Sequence, residues 1–318
     1  MFPDGFYSTT NLESFVRAEG RWLLVENIEM DCAIILDANG PETVARCTPI
    51  NRIRMGDRVV VGDGGVRVTP PARKDPSGPF AFMGSEVSTE RPKELIVAAV
   101  VEGMKEARAS GKQILLVGGP AIVHTGAGPQ LEAMIKAGWI DVLFAGNALA
   151  THDIERALYG TSLGVNLTTG AAAAHGHEHH LRAINAIRAV GGIRKSVETG
   201  LLKSGIMHAC VVKEVDFVLA GSIRDDGPLP DVITDSVEAQ EAMRKHIPGI
   251  GIAIMVATTL HSVATGNMLP ASVNTICVDS DADTVIKLMD RGTHHAFGLV
   301  TDCEFFIKEL ARRLPGVK

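Results

Sequence analysis

The run Val215-Asp-Phe-Val-Leu-Ala-Gly-Ser-Ile-Arg-Asp-Asp-Gly-Pro-Leu-Pro-Asp-Val232 sets a buried strand directly against a polar loop. Val215 to Leu219 is largely apolar, as a strand covered on both faces must be. Gly221, Ser222, Arg224, Asp225 and Asp226 then emerge at the carboxyl end of that strand. Gly227, Pro228 and Pro230 stop any helix and stiffen the loop. A rigid loop carrying two adjacent carboxylates and an Arg suits a polar ligand. In open α/β sheets, ligands bind at this edge.

Working outward, the same alternation repeats. Helical patterns over Lys93 to Ser110, Gln130 to Ala137, Asp153 to Leu158, Glu178 to Val190, Lys195 to Leu202, Val237 to Lys245, Ala282 to Asp290 and Cys303 to Leu314 interleave with apolar strands. The strands are Gln113 to Val117, Val142 to Ala145, Phe217 to Ala220, Ala253 to Val256, Thr275 to Val278 and Gly298 to Val300. This predicts an α/β fold: a Rossmann-like parallel sheet covered by helices on both faces, over residues 87–318. Residues 1–86 read differently. Arg21 to Glu26, Ala33 to Leu36, Thr43 to Cys47, Arg58 to Val61 and Val66 to Thr69 are short β-rich runs parted by turn signals such as Asn39-Gly40-Pro41. They predict a small all-β domain, a barrel or a curled sheet. A Pro-rich connector, Thr69 to Pro79, leads to a boundary near residue 86.

Composition narrows the classes. The chain has 318 residues, 46% hydrophobic, with a net charge of -6 and no basic cluster, which argues against nucleic acid. The longest apolar runs, Leu95 to Val101 and Ile250 to Ala257, are too short to span a bilayer, and Met1 to Thr10 does not read as a signal peptide. Five cysteines without CxxC spacing fit a reducing, cytoplasmic setting.

Chemistry is expected at the strand ends. Gly118 to Gly128 follows a strand and reads either as a phosphate cradle or as a tight turn. Asn147 after the Val142 strand is a ligand contact or an N-cap, and His152-Asp153 is a polar pair or a helix start. Thr258, Thr259, His261 and Ser262 offer donors and acceptors to ligand oxygens. Asp279 stands where dinucleotide folds grip a ribose diol. Asp302 and Cys303 end the last strand. His177 and His180 share a helix face at i, i+3, but no third ligand is apparent, so no metal site is expected.

Several long strings resemble the archaeal-type ornithine cyclodeaminases, the family long labelled as a conserved region of lysine-oxoglutarate reductase/saccharopine dehydrogenase (LOR/SDH). The same module resembles the C-terminal part of the cyanobacterial arginine dihydrolase/ornithine cyclodeaminase. The matching strings are Asp4 to Asn11, Val25 to Cys32, Gly119-Pro-Ala-Ile-Val-His-Thr-Gly126, Ala145-Gly-Asn-Ala-Leu-Ala-Thr-His-Asp-Ile-Glu155, Gly160 to Gly164 and Gly221 to Asp231. The resemblance implies a tightly held NAD that is recycled while L-ornithine becomes L-proline and ammonia. It implies cofactor contacts at Asn147, Ala148, Asp226, Thr258, Thr259, Leu260, His261, Asp279, Asp302 and Cys303. For that chemistry, Asp225 or Asp226 is a candidate base or amine-binding group and Arg224 a candidate fork for the substrate carboxylate. Glu26 and Asp31 either close the pocket or are solvated turn residues. A small-molecule amino-acid substrate and a homo-oligomer are expected, with no nucleic-acid or membrane partner. The alternatives are a saccharopine-type dehydrogenase and a non-catalytic NAD-binding regulatory module.

Overall fold

Ile114 and Leu116 bury into one core and Leu115 and Val117 into another, because successive strand residues point to opposite faces. A strand apolar on both sides belongs in a sheet covered on both sides. The computed structural model describes residues 3–69, 93–167, 169–225, 227–291 and 296–318. The connector, the boundary near residue 86 and Asp226 lie outside the described residues.

Strands β1 (Ser14–Ala18), β2 (Arg21–Glu26), β3 (Ala33–Asp37), β4 (Val44–Thr48) and β5 (Val66–Val68) form a first sheet, ordered β3-β4-β2-β1-β5. β2 and β4 pair in parallel and the other neighbours antiparallel. Its own small core holds Val16, Val25, Ile34, Ala45, Cys32 and Cys47. The expected strand over Arg58 to Val61 makes only isolated bridges, Val59 to Ile35 and Val61 to Phe6. Ser14–Ala18, by contrast, forms a strand that turn spacing alone did not reveal.

The second unit begins with α1 (Lys93–Ala109) and β6 (Gln113–Gly118), then α2 (Ala121–His124), α3 (Gly128–Lys136), β7 (Val142–Gly146) and α4 (Asn147–Tyr159). A hairpin of β8 (Thr161–Ser162) and β9 (Val165–Asn166) precedes α5 (His179–Val190), α6 (Ile193–Glu198), α7 (Ile206–Val212) and β10 (Asp216–Ala220). The chain closes with α8 (Ser236–Arg244), β11 (Ile250–Val256), α9 (Thr259–Met268), β12 (Asn274–Asp279), α10 (Ala282–Arg291), β13 (Ala296–Val300) and α11 (Cys303–Arg313). The sheet runs β10-β7-β6-β11-β12-β13, and every pairing in it is parallel. Counted within this unit the order is 3-2-1-4-5-6, that of dinucleotide-binding Rossmann sheets. One face is packed by α1, α3, α4, α7 and α11, the other by α8, α9 and α10.

The first sheet docks at the amino-terminal edge of the parallel sheet. Met30 N–H donates to the Asn267 carbonyl at 2.9 Å, and Ala271 N–H to the Asn11 carbonyl at 2.8 Å. Glu29, buried, accepts two bonds from Arg244 Nε, each 3.0 Å. A cavity of about 930 Å³ lies in this seam, lined among others by Glu26, Glu29, Arg52 and Arg244. Glu26 pairs with Arg46 at 3.3 Å and Asp31 lines a smaller hollow beside it. Both face this seam, at the sheet edge opposite the carboxyl ends of the parallel strands, so neither closes a pocket there within one chain.

Candidate functional site

β6 and β11 are neighbours, yet the chain leaves them toward opposite faces of the sheet. That reversal opens a crevice at their carboxyl ends. Two loops press together there. Gly119 N–H donates to the Val256 carbonyl at 2.9 Å, and a Cβ on Gly119 would sit 1.7 Å from the Ala257 carbonyl oxygen. Ala257 itself holds a left-handed φ of 53°, a conformation that costs a residue with a Cβ about 1 kcal/mol or more. Gly146, ending β7, lies under the His261 ring, where a Cβ would come within 2.9 Å of Cε1. Thr258 Oγ1 is 3.2 Å from His261 Nδ1. Burial pushes the His261 imidazole below its usual pKa, and the Ala220 carbonyl and Asp225 only partly offset this. His261 therefore gathers the ends of β7, β10 and β11 around an imidazole that is neutral near pH 7.

The residues singled out in the sequence fall on this rim with different duties. Asn147 is buried, and its side chain is occupied internally. Nδ2 donates to Asp225 Oδ1 at 3.5 Å, and Oδ1 accepts from Leu229 N–H at 3.0 Å and from the Thr151 hydroxyl at 3.2 Å. It ties Asp225 and Leu229 to the first turn of α4. Asp225 is held further by Ser222 N–H at 2.9 Å. Arg224 is exposed and makes no ion pair with any described residue, so it is not tied to Asp225. Asp226 lies outside the described residues.

Ala148 is half-buried on the first turn of α4. The segment 259–262 is not an irregular strand end. It is the first turn of α9, whose N-cap Thr258 makes no side-chain capping bond. Thr259 and Leu260 are exposed, while the buried Ser262 hydroxyl has no partner among the described residues. Asp279 ends β12 half-buried and accepts from Asp281 N–H at 3.0 Å. Asp302 is the N-cap of α11, accepting from Glu304 N–H at 2.8 Å and Phe305 N–H at 3.1 Å. Cys303 is buried 3.5 Å from the Thr125 hydroxyl, and burial pushes its thiol up, so it is no thiolate nucleophile.

His152 and Asp153 do not pair. Consecutive helix residues point apart. Asp153 turns into the core and accepts Met207 N–H at 2.9 Å, capping α7. His152 instead donates to Glu155, one turn on, at 2.8 Å. Around it stands a cluster that motif reading missed, comprising His124, Ser162, Thr161 and His179. His124 Nδ1 lies 2.7 Å from Ser162 Oγ, and its ring meets that of His152 edge-on at 4.6 Å. The i, i+3 spacing of His152 and Glu155 was the signal available. His175 and His177 stay exposed beside Glu178, and no group able to hold a metal ion occurs among the described residues. Nor is any described helix long and apolar enough to cross a membrane.

The parallel order, the glycine-walled crevice and an acidic residue at the end of β12 define a protein of the Rossmann class, with the crevice in which such folds take dinucleotides. The chain belongs to the family described as arginine dihydrolase ArgZ-like, C-terminal. Its first region matches over residues 13–97 and its Rossmann fold over residues 98–310. The ornithine cyclodeaminase of Methanothermobacter thermautotrophicus is 55% identical over 99% of this chain and 76% of its own length. A conserved LOR/SDH protein of Methanococcus maripaludis superposes with a TM-score of 0.90 at 48% identity, covering 98% of this chain and 93% of that one. The complex of AgrE with ornithine and NAD+ superposes with a TM-score of 0.68 at 40% identity, covering 98% of this chain and 44% of that one.

Proposed function

We propose that this chain is an NAD-dependent ornithine cyclodeaminase, converting L-ornithine to L-proline and ammonia with the cofactor regenerated in each cycle. The observation that carries the reading is the crevice where Gly119 abuts Ala257, in a chain so similar to proteins bearing that name. When bound, NAD supplies a hydride acceptor that later returns the hydride. The remaining work belongs to side chains. The uncapped first turn of α9 offers backbone N–H groups to a pyrophosphate, with Thr258, Thr259, Leu260 and His261 around it. Asp279, about twenty residues after that turn, receives a ribose diol. Asn147, Ala148, Asp226, Asp302 and Cys303 complete the contact set.

Asp225, preset by Asn147 and Ser222, binds the cationic end of the amino acid. Arg224, exposed and without an ion pair among the described residues, forks the α-carboxylate. Asp226 is assigned to the cofactor because the family pattern implies it. Ornithine is preferred over longer diamino acids because its δ-nitrogen closes a five-membered ring on the α-carbon. The enzyme acts as a soluble homo-oligomer in the cytoplasm.

The test is incubation with ornithine and substoichiometric NAD+. Proline and ammonia without net NADH support the reading. Stoichiometric NADH would instead mark a dehydrogenase, and bound NAD with no product a regulatory module. Asp226→Asn is expected to abolish turnover; wild-type activity in that variant would sink its assignment.

A further inference from the structure

The cyclisation proposed above needs a proton acceptor, since an ammonium group has no lone pair with which to attack. Asp225 and Asp226 were the sequence candidates. The structure offers a better-built one on α4. Glu155 is fully buried, and its carboxylate accepts from His152 at 2.8 Å, the Thr161 hydroxyl at 2.9 Å and the backbone N–H groups of Gly164 at 3.1 Å and Leu163 at 3.3 Å. Burial alone would raise its pKa. The bonds from His152, Gly164 and Thr161 outweigh that and keep it below the usual range, hence ionised. An ionised carboxylate only accepts, so His152 must carry its proton on Nδ1. In the neutral ring the lone pair then sits on Nε2. A base oriented by a hydrogen-bonded carboxylate is the general signature of a proton-transfer pair.

The neighbours of His152 sharpen this. His124 on α2 meets it edge-on at 4.6 Å, and His180 on α5 lies at 6.2 Å. Burial, reinforced by His152, pushes His124 down to about 4, so His124 stays neutral beside a protonated His152. Thr161 gives its one proton to Glu155, so His179 Nδ1, 2.8 Å away, donates to Thr161 and closes the network from the α5 side. His152 lies one helical turn beyond Ala148, at i, i+4 and therefore on the same face of α4. That face starts at the carboxyl end of β7, on the rim where the cofactor is placed.

Resting on the cyclodeaminase reading, we propose that His152 is the group that moves the proton of the reacting amine, with Glu155 as its positioning residue. His152 Nε2 takes a proton from the δ-ammonium. The freed lone pair forms the new C–N bond at the α-carbon, which carried a neutral amine when its hydride left and is now an iminium. His152 returns the proton to the α-nitrogen and takes one from the ring nitrogen, the old C–N bond breaks, and ammonia leaves. The cyclic iminium regains the hydride, and His152 returns its proton to the ring nitrogen of proline.

The test uses the NAD-loaded protein. His152→Gln and His152→Asn are expected to lower kcat about 100-fold or more, with NAD affinity and the unfolding transition unchanged. Glu155→Gln should lower kcat with KM unchanged and move the acidic limb of the kcat profile to lower pH, with Glu155→Asp restoring part of both. Proline formation at the wild-type rate by both His152 variants overturns the assignment while leaving the cyclodeaminase reading intact. A kcat profile in Glu155→Gln that matches the wild type overturns the positioning role. Absence of proline from the wild type overturns the cyclodeaminase reading and the proton role with it.

Discussion

Gly119 shows how one residue sets the shape of the crevice. Its missing Cβ is what lets two backbones meet, since the atom would overlap the Ala257 carbonyl at 1.7 Å. Gly119→Ala must therefore push the loops after β6 and β11 apart. It is expected to cost about 1–3 kcal/mol of stability, as overpacking does, and to weaken NAD binding; a chemical melt and a cofactor titration read the two separately. Asp153 makes a different demand. It is fully buried, and burial raises its carboxyl to about 6 against bonds from the backbone of Met207 and Ile206. The folded state therefore holds its proton more tightly than the unfolded chain. The contribution of Asp153 is most favourable below pH 4 and is lost as pH rises from about 4 to 6. Asp153→Asn retains an acceptor for Met207 N–H and cannot ionise. Its stability relative to wild type should grow across that window and then level off, as denaturant unfolding at a pH series would reveal. The sequence pointed to His152 and Asp153 as a polar pair or a helix start, and the structure makes them neither: the helix begins at Asn147 and the two side chains take different partners. Adjacency in the chain is not adjacency on a helix, and Glu155 at i+3 was the reachable carboxylate.

Among the elements, those with strong apolar patterns were legible and those with weak propensity were not. The six parallel strands stand where their apolar runs placed them, to within three residues at each end. α9 escaped because Thr259, Ser262, Val263, Thr265, Gly266 and Asn267 are indifferent or poor helix formers. Packing of its Ser262, Thr265 and Gly266 face against the sheet makes it helical. α4 begins at Asn147 instead of Asp153, so the expected rim loop is a helix terminus. α11 allows a clean separation of roles for Asp302. Asp302→Asn preserves an acceptor for the Glu304 and Phe305 N–H groups, and is expected to keep the melting temperature while weakening NAD. Asp302→Ala should lose the cap as well, at about 1 kcal/mol. An NAD affinity unaffected by Asp302→Asn would leave Asp302 a cap alone.

For the whole molecule, the division into a β-rich region and a parallel α/β region could be read from period and turn spacing, because each pattern is local. The docking of the two could not, because it rests on side chains distant in sequence. Glu29 to Arg244 and Arg52 to Glu241 are ion pairs across the seam, and Glu29 is also the acceptor for the Cys32 thiol at 3.1 Å. Glu29→Gln removes one of the two carboxylates that Arg244 meets, leaving Glu241 at 2.9 Å, and is expected to lower stability by about 1–2 kcal/mol, measured by denaturant unfolding. The strand order was likewise beyond local pattern. It determines that β6 and β11 are neighbours, and hence where the crevice opens.

The central claim is that hydride leaves the α-carbon of ornithine and returns to the same carbon without escaping. L-ornithine deuterated at that carbon, incubated in ordinary water with substoichiometric NAD+, tests it directly. Proline that retains the deuterium at its α-carbon, with ammonia released and no NADH accumulated, is the predicted result. Proline carrying protium there, NADH formed in proportion to substrate, or no proline would contradict the account.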